Sequence, residues 1–86
     1  SRRILYGPGQ ELTLSGREGL LLETFLREPG QVIHRMVLFS RVWGVDAPVE
    51  ESNLDTYIHF LRKRLSSAGS KLRVKTVRGI GYVLEM

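Results

Sequence analysis

LRVKTVRGIGYVLE, residues 72–85, is the stretch on which the fold turns. Val74 and Lys75 lead into a segment holding Gly79 and Gly81, and Tyr82, Val83 and Leu84 lead out of it. Two short β-prone runs around glycines read as a hairpin. Both glycines are expected in its tip, where they permit positive-φ turning and close approach to another backbone. Arg78 stands just before them, so the tip carries a cation.

The hairpin follows TYIHFLRKRL, residues 56–65, which reads as the body of a helix. That helix starts at Ser52 or Asn53, both good N-caps, with Asp55 placed well for the N-terminal dipole. It ends by Ala68-Gly69. At about 100° per residue, Leu54, Ile58, Leu61 and Leu65 fall on one side as a core stripe, with Tyr57 and Arg62 on opposite edges. The other side carries Ser52, Thr56, His59, Phe60 and Lys63, with Asn53 and Arg64 at its margin. Phe60 thus points roughly 130° away from the stripe. Three readings of it stay open: it packs under the hairpin, it is an exposed apolar residue without a role, or it touches a thymine methyl group in a major groove.

Upstream, RILYGPGQELTL (residues 3–14) reads as two short strands around the turn Gly7-Pro8-Gly9. A lone hairpin is marginal in water, so this one must pack on something else. Ser15 and Glu18 fit a capping box that opens a first helix, with Leu21, Leu22, Phe25 and Leu26 as its apolar stripe. Leu20 falls at the stripe's edge, and Pro29-Gly30 stops the helix. Gln31-Val32-Ile33 reads as an extended link. A second helix then runs from about Arg35 to Trp43, with His34 near its cap and Gly44 at its C-terminal end. Leu38, Phe39 and Val42 form its buried side. The acidic loop VDAPVEE (residues 45–51) follows, with Glu50 and Glu51 read as solvated charge.

The order is strand pair, three helices, strand pair. A longer basic helix after two shorter ones, followed at once by a glycine-tipped basic hairpin, is the layout of an α+β winged helix-turn-helix with the hairpin as wing. The 86 residues then form one small domain. The charge is lopsided. Residues 1–51 hold six cations against seven acids, whereas residues 52–86 hold seven cations against two acids. Such asymmetry fits a polyanionic partner for the C-terminal half, or a basic face that serves solubility. Cysteine is absent, which excludes a disulfide framework. No apolar run is long enough to span a membrane, and no signal-peptide pattern opens the chain.

TVRGIGY (residues 76–82) resembles the C-terminal hairpin signature of the OmpR/PhoB family of bacterial response regulators. LREPGQVI with Val42-Trp43-Gly44 resembles the ends of that family's first two helices. LDTYIHFLRKRL resembles its recognition helix. The likeness runs from Leu12 to Leu84, with the motifs in order and at the right separation. The resemblance implies a cytoplasmic effector domain that binds promoter DNA. A receiver domain, absent from this chain and phosphorylated on aspartate by a sensor kinase, would favour dimers on tandem direct repeats. The family's N-terminal sheet has four strands and only two are legible here, so the chain is expected to begin inside that sheet. Departures from the pattern are His59 and Phe60 at positions that are often basic, Gly19 in place of an aromatic, and His34 in place of Ser or Thr.

On this reading Ser52, Asn53, Thr56, His59 and Phe60 face base edges, and Arg62, Lys63 and Arg64 meet phosphates. Arg35 and Trp43, at the ends of the second helix, also meet the DNA backbone. Thr76, Arg78 and Gly79 are the wing's DNA-binding residues, with Arg78 reaching a narrow, electronegative minor groove. The loop of residues 44–51, with Val45, Asp46, Glu50 and Glu51, is where RNA polymerase is met. Two alternatives stand beside this: a winged helix used mainly for protein contacts, through the acidic loop and apolar residues such as Leu20 or Met36, and a transcriptional activator without a receiver. No catalytic constellation or cofactor motif is legible. His34 and His59 lie on different helices with no cysteine near, which argues against a metal site.

Overall fold

The computed structural model describes residues 3–7, 10–14 and 16–86, the first two segments through their backbone. The N-terminal pair is β1 (Arg3–Gly7) and β2 (Gln10–Leu14), antiparallel, with Arg3 opposite Leu14 and Gly7 opposite Gln10. Both strands lie beside the first helix. Pro8, Gly9 and the expected cap Ser15 lie outside the described residues.

Helix α1 (Gly16–Leu26) buries Leu21, Leu22 and Phe25. Leu20 is half-buried at the edge, as expected. Leu26 departs from the expected stripe and is 51% exposed. It falls roughly 90° from the centre of the other three at 100° per residue, in the helix's last position. Helix α2 (Arg35–Trp43) has the expected bounds. The Met36 N–H donates to His34 Nδ1 (3.2 Å), so the histidine acts as the cap. At the other end the Gly44 N–H donates to the Ser40 carbonyl (2.8 Å).

Helix α3 (Asn53–Ser67) places Leu54, Ile58, Leu61 and Leu65 in the core, all at 2% exposure or less. Its start corrects one expectation. Ser52 is itself helical (φ −59°, ψ −18°), and its side chain caps nothing. The Asn53 and Leu54 N–H groups donate instead to the Glu50 and Glu51 carbonyls (3.0 and 2.9 Å). The preceding turn thus meets donors that a capping side chain would otherwise serve.

The C-terminal hairpin is β4 (Arg73–Val77) and β5 (Gly81–Glu85), with Val74 opposite Leu84 and Thr76 opposite Tyr82. The expected link before α2 turns out to hold a strand, β3 (Ile33–His34), paired antiparallel with β5. The wing is therefore a three-stranded sheet in the order β3-β5-β4. This also moves Gly81 out of the tip. It opens β5 opposite His34, and a Cβ there would lie 2.0 Å from the Ile33 carbonyl oxygen. Gly79, at φ +76°, is the turn glycine of the tip. One core joins Phe25 and Leu21 of α1, Leu38 of α2, the α3 stripe, and Tyr82 and Leu84 of β5. Among the described residues no helix is long and apolar enough to cross a membrane.

Candidate nucleic-acid interface

The core stripe of α3 decides what its other faces do. The edge toward the wing carries Asp55 and Arg62, and both are bound to the wing or to the helix beside it. Arg35, at the start of α2, donates from Nη1 and Nη2 to the two oxygens of Asp55 (3.0 Å each) and from Nε to Glu51 Oε1 (2.5 Å). The Tyr82 hydroxyl of β5 donates to Asp55 Oδ1. Arg62 donates from Nε to the Val74 carbonyl and from Nη2 to Thr76 Oγ1 (2.9 Å each), with its guanidinium 5.8 Å from the centre of the Tyr82 ring.

The opposite edge is an aromatic ladder. Phe39 stacks on Trp43 at 5.1 Å, Trp43 meets Tyr57 edge-on at 5.4 Å, and Tyr57 meets Phe60 edge-on at 5.5 Å. Arg17 of α1 lies 5.3 Å over the Trp43 ring. Arg64 reaches Glu18 at 3.6 Å. Phe60 therefore leans toward α1, away from the wing, with 40% of its surface exposed. Packing under the wing, one of the three open readings, is not what the structure shows.

Between these two edges Ser52, Thr56, His59 and Lys63 are exposed on one face. Asn53 is half-buried, its side-chain amide donating to the Glu50 carbonyl (2.9 Å). The wing turn exposes Arg78, Gly79 and Ile80 and is closed by the Ile80 N–H on the Val77 carbonyl (3.0 Å). Lys63 and Arg78 make no ion pair or hydrogen bond among the described residues. The structure divides these cations into two groups. Arg35, Arg62 and Arg64 each have protein partners, while Lys63 and Arg78 have their charge available to an outside anion. Trp43 is half-buried in the ladder, and the Thr76 hydroxyl accepts from Arg62. In the 44–51 loop, Val45 is 87% exposed and Asp46 and Glu50 are exposed. Glu51 is not the solvated charge expected of it, because Arg35 holds its carboxylate. Asp55 and Tyr82 are the residues whose coupling the sequence hid. The available signal was faint: Asp55 shares the wing-side edge with Arg62 at 100° per residue.

The electrostatics of this hub follow from its geometry. Hydrogen bonding to Arg35 holds the Asp55 carboxyl below its ordinary value of 3.8, with the Tyr82 bond helping and partial burial opposing. Asp55, and then Glu51, push Arg35 upward, so it stays charged at any ordinary pH. Burial, then the bond to Asp55, raises Tyr82 above 10.0. A depressed carboxyl contributes stability that is present above about pH 4 and is lost as pH falls through the folded value. A raised phenol contributes stability that is present below about pH 10 and is lost as pH rises past it. Asp55→Asn is expected to cost about 1–2 kcal/mol near neutrality, the low part of the range for charged hydrogen bonds because the pair is half exposed. In thermal melts the gap between wild type and variant should shrink below about pH 4. A gap that stayed constant down to pH 3 would contradict this assignment.

Among the described residues no group of three metal-ligating side chains gathers. The family model described as "Transcriptional regulatory protein, C terminal" matches residues 9–84. Response regulator MprA of Mycobacterium sp. (strain KMS) is 36% identical over 84 residues, covering 98% of this chain and 36% of its own length. Transcriptional regulatory protein TctD of Salmonella typhimurium (strain SL1344) is 40% identical over 77 residues, covering 90% and 34%. The chain thus spans about a third of the length of the curated relatives it matches. The DNA-binding domain of Klebsiella pneumoniae RstA, solved in complex with the RstA box, superposes with a TM-score of 0.80 at 30% identity, over 96% of this chain and 83% of that one. With its three helices, its three-stranded wing and this family match, the chain belongs to the transcriptional regulatory protein C-terminal family and is a winged-helix DNA-binding domain of OmpR/PhoB type.

Proposed function

We propose that this domain binds double-stranded DNA sequence-specifically, with α3 in the major groove and the wing tip at the minor groove beside it. The carrying observation is the exposed polar face of α3, fixed at both edges and flanked by a wing whose tip presents Arg78. Lys63 and Arg78 meet phosphates or an electronegative groove. Thr56, His59 and Ser52 offer hydrogen bonds to base edges, and Phe60 offers an apolar edge to a thymine methyl. The RstA domain's complex with its box supports the same use of the fold.

Within the whole protein, the domain is the output module of a two-component response regulator, placed by a receiver domain on tandem direct repeats in promoter DNA. The similarity to response regulator MprA supports this reading. The exposed 44–51 loop, with Val45, Asp46 and Glu50 outward, is the surface offered to RNA polymerase.

Equilibrium titration of labelled duplexes tests the reading. Phe60→Ala is expected to leave affinity for random duplex unchanged and to lower discrimination at one A·T position by about 1 kcal/mol, the low end for a single base pair. Loss of affinity for all duplexes alike would remove Phe60 from base reading.

A further inference from the structure

Tyr82 is held from two directions, and both holds end on the recognition helix. Its hydroxyl donates to Asp55 Oδ1, and its ring lies under the Arg62 guanidinium, 5.8 Å away. Arg62 in turn grips β4 through the Val74 carbonyl and Thr76. Asp55 also takes both arms of Arg35, whose own N–H donates to the carbonyl of Ile80 in the wing turn (3.0 Å). A closed ring results, running from α3 through Asp55 to Tyr82, along β5 to the turn, and back through Arg35 to Asp55. Arg78 sits two residues from Ile80 and two from Thr76, so both neighbours of the tip are anchored to α3 or α2.

We propose that the Tyr82–Asp55 hydrogen bond sets the position of the wing tip relative to the outward face of α3, which makes Tyr82 and Asp55 positioning residues for specific recognition. This rests on the DNA-binding reading above. A specific site must be engaged by α3 and by the wing at once, so any freedom between them has to be frozen on binding. Non-specific binding is electrostatic and tolerates many orientations. Loosening the wing therefore acts on the specific mode and spares the non-specific one.

Tyr82→Phe is the discriminating variant. It keeps the buried ring under Arg62, and it leaves Asp55 Oδ1 still bonded to Arg35, so no buried acceptor is orphaned. Thr24→Val is its control, since Thr24 Oγ1 donates to the Leu20 carbonyl (2.7 Å) on α1, in a bond that joins neither α3 nor the wing. Wild type, variant and control are compared in melting temperature and in affinity for two duplexes at one salt concentration. One duplex is selected by the wild type from a random library and the other has random sequence. Both variants are expected to melt lower. Only Tyr82→Phe is expected to shrink the ratio of selected to random affinity, by about tenfold, as one charge-assisted bond allows. A Tyr82→Phe domain that melts lower but keeps the wild-type ratio overturns the proposal, as does a parallel fall on both duplexes. A wild type that selects no duplex from the library overturns the DNA-binding reading and this one with it.

Discussion

Gly81→Ala is expected to cost about 3–5 kcal/mol of stability. The added Cβ would sit 2.0 Å from the Ile33 carbonyl oxygen and 2.9 Å from the Arg35 nitrogen. Both are backbone atoms, so no side chain can swing away to make room. Overpacking alone costs about 1–3 kcal/mol. Relief requires β3 to move off β5, which breaks the His34–Gly81 pairing and the Arg35 bond to Ile80 at about 1 kcal/mol each. A domain of 86 residues has a total stability of roughly 4–13 kcal/mol, so the loss is a large part of it. Urea denaturation followed by Trp43 fluorescence measures the effect. Gly79→Ala is the useful contrast: its site is open, with nothing within 4 Å, and only the φ of +76° opposes a side chain. About 1 kcal/mol is expected there. Equal costs at the two glycines would mean that the close approach of β3 to β5 is wrong.

Removing Lys63 and Arg78 together is expected to lower affinity for every duplex by about thirtyfold at 0.15 M salt. Each neutralised phosphate contributes a salt exponent of about 0.9, which is about 5.5-fold at that concentration. Two contacts multiply to about thirtyfold, and the log–log salt slope should become shallower by about 1.8. The double alanine variant has little reason to unfold, because neither side chain is bonded within the described protein. Arg62→Ala behaves differently. Its guanidinium is spent on Val74, Thr76 and the Tyr82 ring, so its loss should lower the melting temperature and leave the salt slope nearly unchanged. Neutralising Lys63 and Arg78 with no change in slope would show that the phosphates are met elsewhere.

How far the sequence reached follows from the range of the interactions involved. The α3 core stripe and the bounds of α2 are set by local periodicity and by residues adjacent in the chain, and both were legible. Strand β3 has two residues, too few for any period, and exists because β5 lies beside it some 50 residues later. The same holds for Gly81. Glycine in a hairpin reads as turn, and only the distant Ile33 carbonyl shows that it serves close approach. Arg35, Asp55 and Tyr82 are separated by 20 and 27 residues, so nothing local announces that they meet. The outward face of α3 was legible as a set, because it is the complement of the stripe. Which of its neighbouring cations are free was not, since Arg62 and Arg64 find partners on β4 and α1.

On the proposed function, the outward face of α3 and the wing tip together read duplex DNA. Selection of bound sites from a random duplex library by the 86-residue domain, run in parallel with Phe60→Ala, tests this. The wild type is expected to enrich one short motif, and Phe60→Ala a motif of the same length with preference relaxed at one A·T position. No enrichment by the wild type would contradict DNA reading by this face, and identical motifs from both would remove Phe60 from it.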